Sequence, residues 1–258
     1  MLLDYDDDGP GPVVVLLHGF PLDRSMWSFQ RSSIGSIYRL ITPDLRGHGQ
    51  TAAPDGVYTV DAMADDVIET LDALQLTDPV HLGGLSMGGY IALSIAERYP
   101  ERLGSLMLIN TRAAADTPEQ AAKREEEARA IEASGDIEPL VQASIARMFA
   151  ESTTQQHPEL VRRLHSHMSR TVPRAVVGAL RGLAHRPDRT DLLPRITVPT
   201  LVVAGLEDQV VPIAEARAMA AAIPGSHFVA VPHAGHLAPL ENHQATDAAI
   251  LGFLESLW

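Results

Sequence analysis

Short apolar runs rich in β-branched residues alternate along this chain with longer segments whose apolar residues recur at helical spacing, and few folds accept that alternation. Val13 to Leu17, Arg39 to Thr42, Val80 to Gly84, Leu103 to Asn110, Thr200 to Ala204 and His227 to Val231 read as strands. Between them, Val60 to Leu76, Met87 to Arg98, Ile213 to Ile223 and Gln244 to Leu257 carry the helical period. Repeated strand-then-helix order predicts a mostly parallel sheet with helices on both faces. The pattern breaks between about Thr111 and Arg189, where Ala, Glu and Arg dominate and Pro118, Pro139, Pro158 and Pro173 punctuate a helical periodicity. Residues 1–110 and 190–258 are therefore expected to form an α/β core, and 111–189 a helical insertion. A length of 258 residues suits one domain carrying such an insertion.

The chemistry open to the chain is narrowed by what it contains. With 20 Lys+Arg against 33 Asp+Glu the net charge is −13, which repels nucleic acid and anionic membrane. There is no cysteine, so disulfides, thiolate metal sites and a cysteine nucleophile drop out. The opening Met1-Leu2-Leu3-Asp4-Tyr5 runs into three aspartates, unlike a secretory leader, and nowhere do about 18 uncharged apolar residues follow one another. A soluble, cytoplasmic protein is expected. His165 and His167 stand two apart, on different faces of a helix, and no H-E-x-x-H run exists, so no metal is expected. The run Glu125-Glu126-Glu127, flanked by Lys123, Arg124 and Arg129, reads as a solvated helix face.

Gly84-Leu85-Ser86-Met87-Gly88-Gly89 falls where a predicted strand passes directly into a predicted helix. There the glycines permit a sharp turn that lifts a serine hydroxyl above the sheet edge. No lysine follows as a phosphate-binding loop requires, and the G-x-G-x-x-G spacing is absent. A serine hydroxyl needs a base, and the base needs a carboxylate to hold it. Gly205-Leu206-Glu207-Asp208 follows one late strand and Pro232-His233-Ala234-Gly235-His236 another. Both loops leave strand C-termini, the edge where open α/β sheets bind ligands. Glu207 competes with Asp208. His233 competes with His236 but lacks the preceding glycine that lets the loop turn inward.

Taken together these stretches resemble an α/β hydrolase with a helical cap, nearly from end to end. His18-Gly19-Phe20-Pro21 is similar to the family's oxyanion loop, Asp44-Leu45-Arg46-Gly47-His48-Gly49 to the loop after its next strand, and Ser86 to its nucleophile elbow. Asp208 with Pro212, and Gly235-His236, match the acid and base loops. At finer grain, His18 to Trp27, Gly83 to Tyr90 and Arg186 to Leu193 are similar to bacterial carboxylesterases of small acyl esters.

The resemblance implies a serine hydrolase without cofactor, acting on a small-molecule ester. In it Ser86 attacks, His236 moves the proton, Asp208 holds the imidazole, and the backbone N–H groups of Phe20 and Met87 form the oxyanion hole. His18, Asp44 and His48 are expected to brace loops. Trp27, Phe149 and Leu237 are the expected pocket walls. A lactonase, a carbon–carbon bond hydrolase, a cofactor-free perhydrolase and a slow-turnover ligand sensor share this pattern. One departure stands out: only 17 residues precede His18, little chain for the two antiparallel strands that usually open this fold. Leu2 to Tyr5 is expected to supply one edge strand, with the sheet shortened or its edge covered by a second subunit in a homo-oligomer.

Overall fold

The β-branched runs form the sheet and the periodic segments cover it. A computed structural model describes residues 1–258. The strands are β1 (Tyr5–Asp8), β2 (Val13–Leu17), β3 (Arg39–Pro43), β4 (Val80–Leu85), β5 (Leu103–Ile109), β6 (Thr200–Gly205) and β7 (His227–Val231). They make one seven-stranded sheet in the order β1-β3-β2-β4-β5-β6-β7. β1 runs antiparallel to β3 and every other pairing is parallel.

Alternate residues of each strand feed two apolar clusters, as the two-residue period of a strand requires. Val15, Leu17, Leu82, Leu106, Leu108 and Val202 join one. Val14, Leu16, Leu85, Met107, Ile109 and Val203 join the other. The first is closed by α2 (Val60–Ala73), α3 (Met87–Arg98) and α9 (Ile213–Ala222), and the second by α1 (Ser28–Ser33) and α11 (His243–Glu255). Between β5 and β6 lie α4 (Pro118–Ser134), α5 (Glu138–Met148), α6 (Glu151–Gln156), α7 (Pro158–Met168) and α8 (Pro173–Ala184), and a short α10 (Ala238–Glu241) precedes α11. Pro occupies the first turn of α4, α5, α7 and α8, where its missing N–H costs nothing. No helix is long and apolar enough to cross a membrane.

The edge strand departs from expectation. It is Tyr5–Asp8, not Leu2 to Tyr5, and only one antiparallel strand opens the sheet. Three consecutive aspartates are poor strand formers, but arginines elsewhere in the chain compensate them. Arg31 pairs with Asp6 and Asp8, and Arg39 with Asp7. Arg24 pairs with Asp4 just before the strand.

Candidate active site

Ser86 sits between β4 and α3 with φ 53° and ψ −112°, the left-handed region that non-glycine residues avoid. Close packing of the turn holds it there. A Cβ on Gly84 would stand 2.2 Å from the Gly88 backbone, and one on Gly88 2.2 Å from the Leu17 carbonyl oxygen. Below the turn, the Ser86 N–H donates to the Ile109 carbonyl and the Thr111 hydroxyl donates to the Ser86 carbonyl at 2.8 Å. The serine is thereby fixed above the C-terminal edge of the sheet, at a helix N-terminus.

The two late loops converge on it. His236 Nδ1 donates to Asp208 Oδ2 at 2.8 Å, which leaves Nε2 as the free acceptor. Nε2 is buried and has no protein partner, and His236 lines the same cavity as Ser86. Ser86 and His236 are not hydrogen-bonded to each other; such bonds commonly tighten only around substrate. Asp208 is fully enclosed and accepts from four donors: His236 Nδ1, Asn110 Nδ2 at 2.8 Å, and the N–H groups of Val210 and Val211. Burial pushes its carboxyl up, but the attraction of His236 and these hydrogen bonds outweigh burial and hold it below the ordinary value. Glu207 and His233, the competitors, are both exposed, and neither side chain makes a hydrogen bond.

Phe20 and Met87 also line the cavity. The Met87 N–H opens α3, where no intrahelical acceptor is available, and neither it nor the Phe20 N–H donates to a protein group. Two unspent backbone donors beside a serine are what an oxyanion hole needs. His18 braces the first of these loops: Nδ1 donates to the Gly19 carbonyl and Nε2 accepts from the Leu45 N–H. Asp44 accepts from the N–H groups of Arg24 and Gln50, and His48 Nδ1 donates to the Arg46 carbonyl. All three act within loops.

The walls differ from expectation. Trp27, Phe149 and Leu237 are fully or almost fully buried in the second apolar cluster, and none lines the cavity. Large apolar side chains suit a core as well as a pocket, and here the core took them. The lining comes instead from Tyr90, Leu140, Met148, Leu180, Leu183 and Val210. The acidic run is not simply a solvated face either. Glu125 pairs with Arg181 of α8, while Glu127, Lys123 and Arg124 line the cavity. His165 goes to Glu138 and His167 to Ser25 and Asp23.

Two participants had no signature in the sequence. Asn110, just past β5 at φ 45°, donates to Asp208 Oδ2 and to the Gly235 carbonyl. Asn tolerates that backbone conformation, which is the one available clue. Glu241 accepts from the Gly235 and Leu237 N–H groups on either side of His236, and from the Ala150 N–H and Thr153 hydroxyl of the insertion. Burial raises its carboxyl above the ordinary value despite these four donors.

Known proteins share this architecture. A thermophilic esterase from Thermogutta terrifontis, solved with malate bound, superposes with a TM-score of 0.96 at 42% identity, over 99% of this chain and 93% of that one. The 3-oxoadipate enol-lactonase 1 of Acinetobacter baylyi is 30% identical over 99% of this chain and 94% of its own. The enol-lactonase of Burkholderia xenovorans LB400 superposes with a TM-score of 0.91 at 28% identity, covering 98% of this chain and 96% of that one. The alpha/beta hydrolase fold family matches residues 12–243, a span that takes in the Ser86 turn, Asp208 and His236, and the chain belongs to that family.

Proposed function

We propose that this hydrolase is a serine carboxylesterase of small-acyl esters. The observation that carries the reading is the buried Asp208–His236 pair, whose unpartnered Nε2 shares one cavity with a serine held in a strained strand-to-helix turn. In this reading Ser86 Oγ attacks the ester carbonyl as His236 Nε2 takes its proton. The imidazolium then protonates the leaving alcohol, and water, activated by the same nitrogen, releases the acid. Asp208 keeps Nε2 the basic nitrogen and stabilises the imidazolium. The Phe20 and Met87 N–H groups receive the charge of the tetrahedral intermediate, each worth about 100-fold to 1,000-fold in rate. No step draws on a cofactor.

The cavity volume, about 200 Å³, favours short acyl groups, since pockets for drug-sized ligands run from about 300 Å³ upward. Each buried methylene adds up to about 0.8 kcal/mol until the space is full. An organophosphate is expected to add once to the wild type and not to Ser86→Ala, and rates on p-nitrophenyl esters to peak between acetyl and butyryl. An adduct on another residue overturns the nucleophile, and an optimum at decanoyl overturns the small-acyl reading alone. A lactone is the second reading, favoured by the enol-lactonases among the relatives; faster turnover of lactones than of matched open esters would select it.

A further inference from the structure

The chain carries a net charge of −13, yet its active-site cavity is lined by four cations, Arg112, Lys123, Arg124 and Arg147, and one carboxylate, Glu127. Lys123 is the single lysine of the sequence, is exposed at this wall and has no hydrogen-bond or ion-pair partner. Arg112 lies deeper, its side chain 12% exposed, on the loop that leaves β5 two residues after Asn110.

The carboxylates near Arg112 do not use up its donors. It reaches Asp116, Glu215 and Gln120 only at 3.3, 3.4 and 3.5 Å, at the weak end of the hydrogen-bond range. Asp116 is itself shared with Arg124 and Arg186. The Nε–H of Arg112 is buried with no partner at all. A buried guanidinium donor left unmade is costly, and a guanidinium edge offers two parallel donors to a carboxylate. The long Nη contacts hold the side chain in the wall and leave Nε unpaired there.

We propose that the site selects substrates bearing a carboxylate, seated on Arg112, with Lys123 and Arg147 drawing the anion in at the cavity wall. This rests on the ester-hydrolase reading for its chemistry and names the substrate class within it. A cationic pocket in an acidic protein makes such selection local, because surface charge beyond about 10 Å is screened at ordinary ionic strength.

The test uses matched pairs of esters. On the acyl side these are 4-nitrophenyl butanoate and mono(4-nitrophenyl) succinate; on the alcohol side, phenyl acetate and 4-acetoxybenzoate. In at least one pair, the kcat/KM ratio of anionic to neutral ester is expected to fall about tenfold in Arg112→Gln and about threefold in Lys123→Gln. It should fall likewise in the wild type as salt is raised. Arg129→Gln removes the same charge from α4 but does not line the cavity, so it serves as the control. A ratio unmoved in both pairs, or moved equally by Arg129→Gln, overturns the proposal. If Arg112→Gln does not fold, Lys123→Gln with Arg147→Gln carries the same test.

Calorimetry of succinate binding to Ser86→Ala separates the two readings. Succinate binding that weakens from Ser86→Ala to Ser86→Ala/Arg112→Gln, together with a wild type that cleaves no ester, sinks the esterase reading and keeps the anion site. Ester turnover that requires Ser86, with an unmoved ratio and no succinate binding, sinks the anion site and keeps the esterase.

Discussion

Two helices border the same cavity and are built on opposite principles. In α3, which carries Met87 at its first position, ten of twelve residues are buried. In α4, which brings Lys123, Arg124 and Glu127 to the wall, two of seventeen are, Ala128 and Ile131. α3 lies among the sheet and its neighbours and has no freedom to move the Ser86 turn. α4 instead lies along α8, with Ala128 and Ile131 in the second apolar cluster and ion pairs from Glu125 and Glu132 to Arg181 of α8. The helix that carries the Ser86 turn is thus interior, and the helix that brings charged side chains to the cavity wall has most of its surface exposed. Within one family, chemistry can stay constant while selectivity changes, because the two are set by segments under different packing constraints.

Three experiments press on that contrast. The largest effect belongs to the rigid side. Asp208→Asn leaves the fold intact but costs on the order of 10,000-fold in kcat, because the imidazole loses the acceptor that sets its tautomer. Glu207→Gln, one residue away and exposed, leaves kcat within about twofold. Reversal of that ranking in steady-state kinetics would reassign the acid.

Next comes stability. Ile91→Ala in α3 removes a fully buried side chain and should cost about 2–5 kcal/mol in urea unfolding, whereas Glu126→Ala on α4 should stay within about 0.5 kcal/mol. Comparable losses at the two sites would mean that α4 is part of the cooperative core.

The smallest effect is a pH dependence. Burial lowers His18 from 6.5 to about 4, and burial together with the neighbouring His18 lowers His48 to about 3. Below pH 6.5 the unfolded chain takes up these protons while the folded one refuses them. The stability these histidines contribute is therefore full above pH 6.5 and is lost as pH falls toward 4, by up to about 3 kcal/mol for His18. Asp44 and Glu241, both raised, work in the opposite sense, so the histidine share is read as a difference between variants. The urea midpoint of His48→Gln should fall less steeply between pH 6.5 and 4 than that of the wild type. Parallel curves would remove His48 from the account.

The same contrast decides what could be read from the chain. β2 to β7 and α2, α3, α9 and α11 are legible because burial demands apolar runs or an apolar stripe, and both are local; α1, six residues long with one buried, leaves no such mark. β1 is not legible either, because Asp6, Asp7 and Asp8 become strand residues only through Arg31 and Arg39, more than twenty positions away. Ser86 and His236 stand out since a tight turn needs glycines beside it, and Asp208 is told from Glu207 by its spacing to Pro212 in the family pattern. Asn110 and Glu241 have no such mark. Their partners lie 98 and 91 residues distant, at Asp208 and Ala150, and only the fold makes them neighbours. Trp27, Phe149 and Leu237 mislead for a third reason: hydrophobicity predicts removal from water, not which of two apolar places receives the side chain.

Glu241 joins two parts of the molecule. One carboxylate holds the N–H groups flanking His236 and, through its other oxygen, the start of α6, while the His236 N–H donates to the Met148 carbonyl at the end of α5. The backbone that carries the imidazole is thus stitched to the helical insertion, while the imidazole ring itself is held from the sheet side by Asp208, so both parts of the molecule hold this one residue.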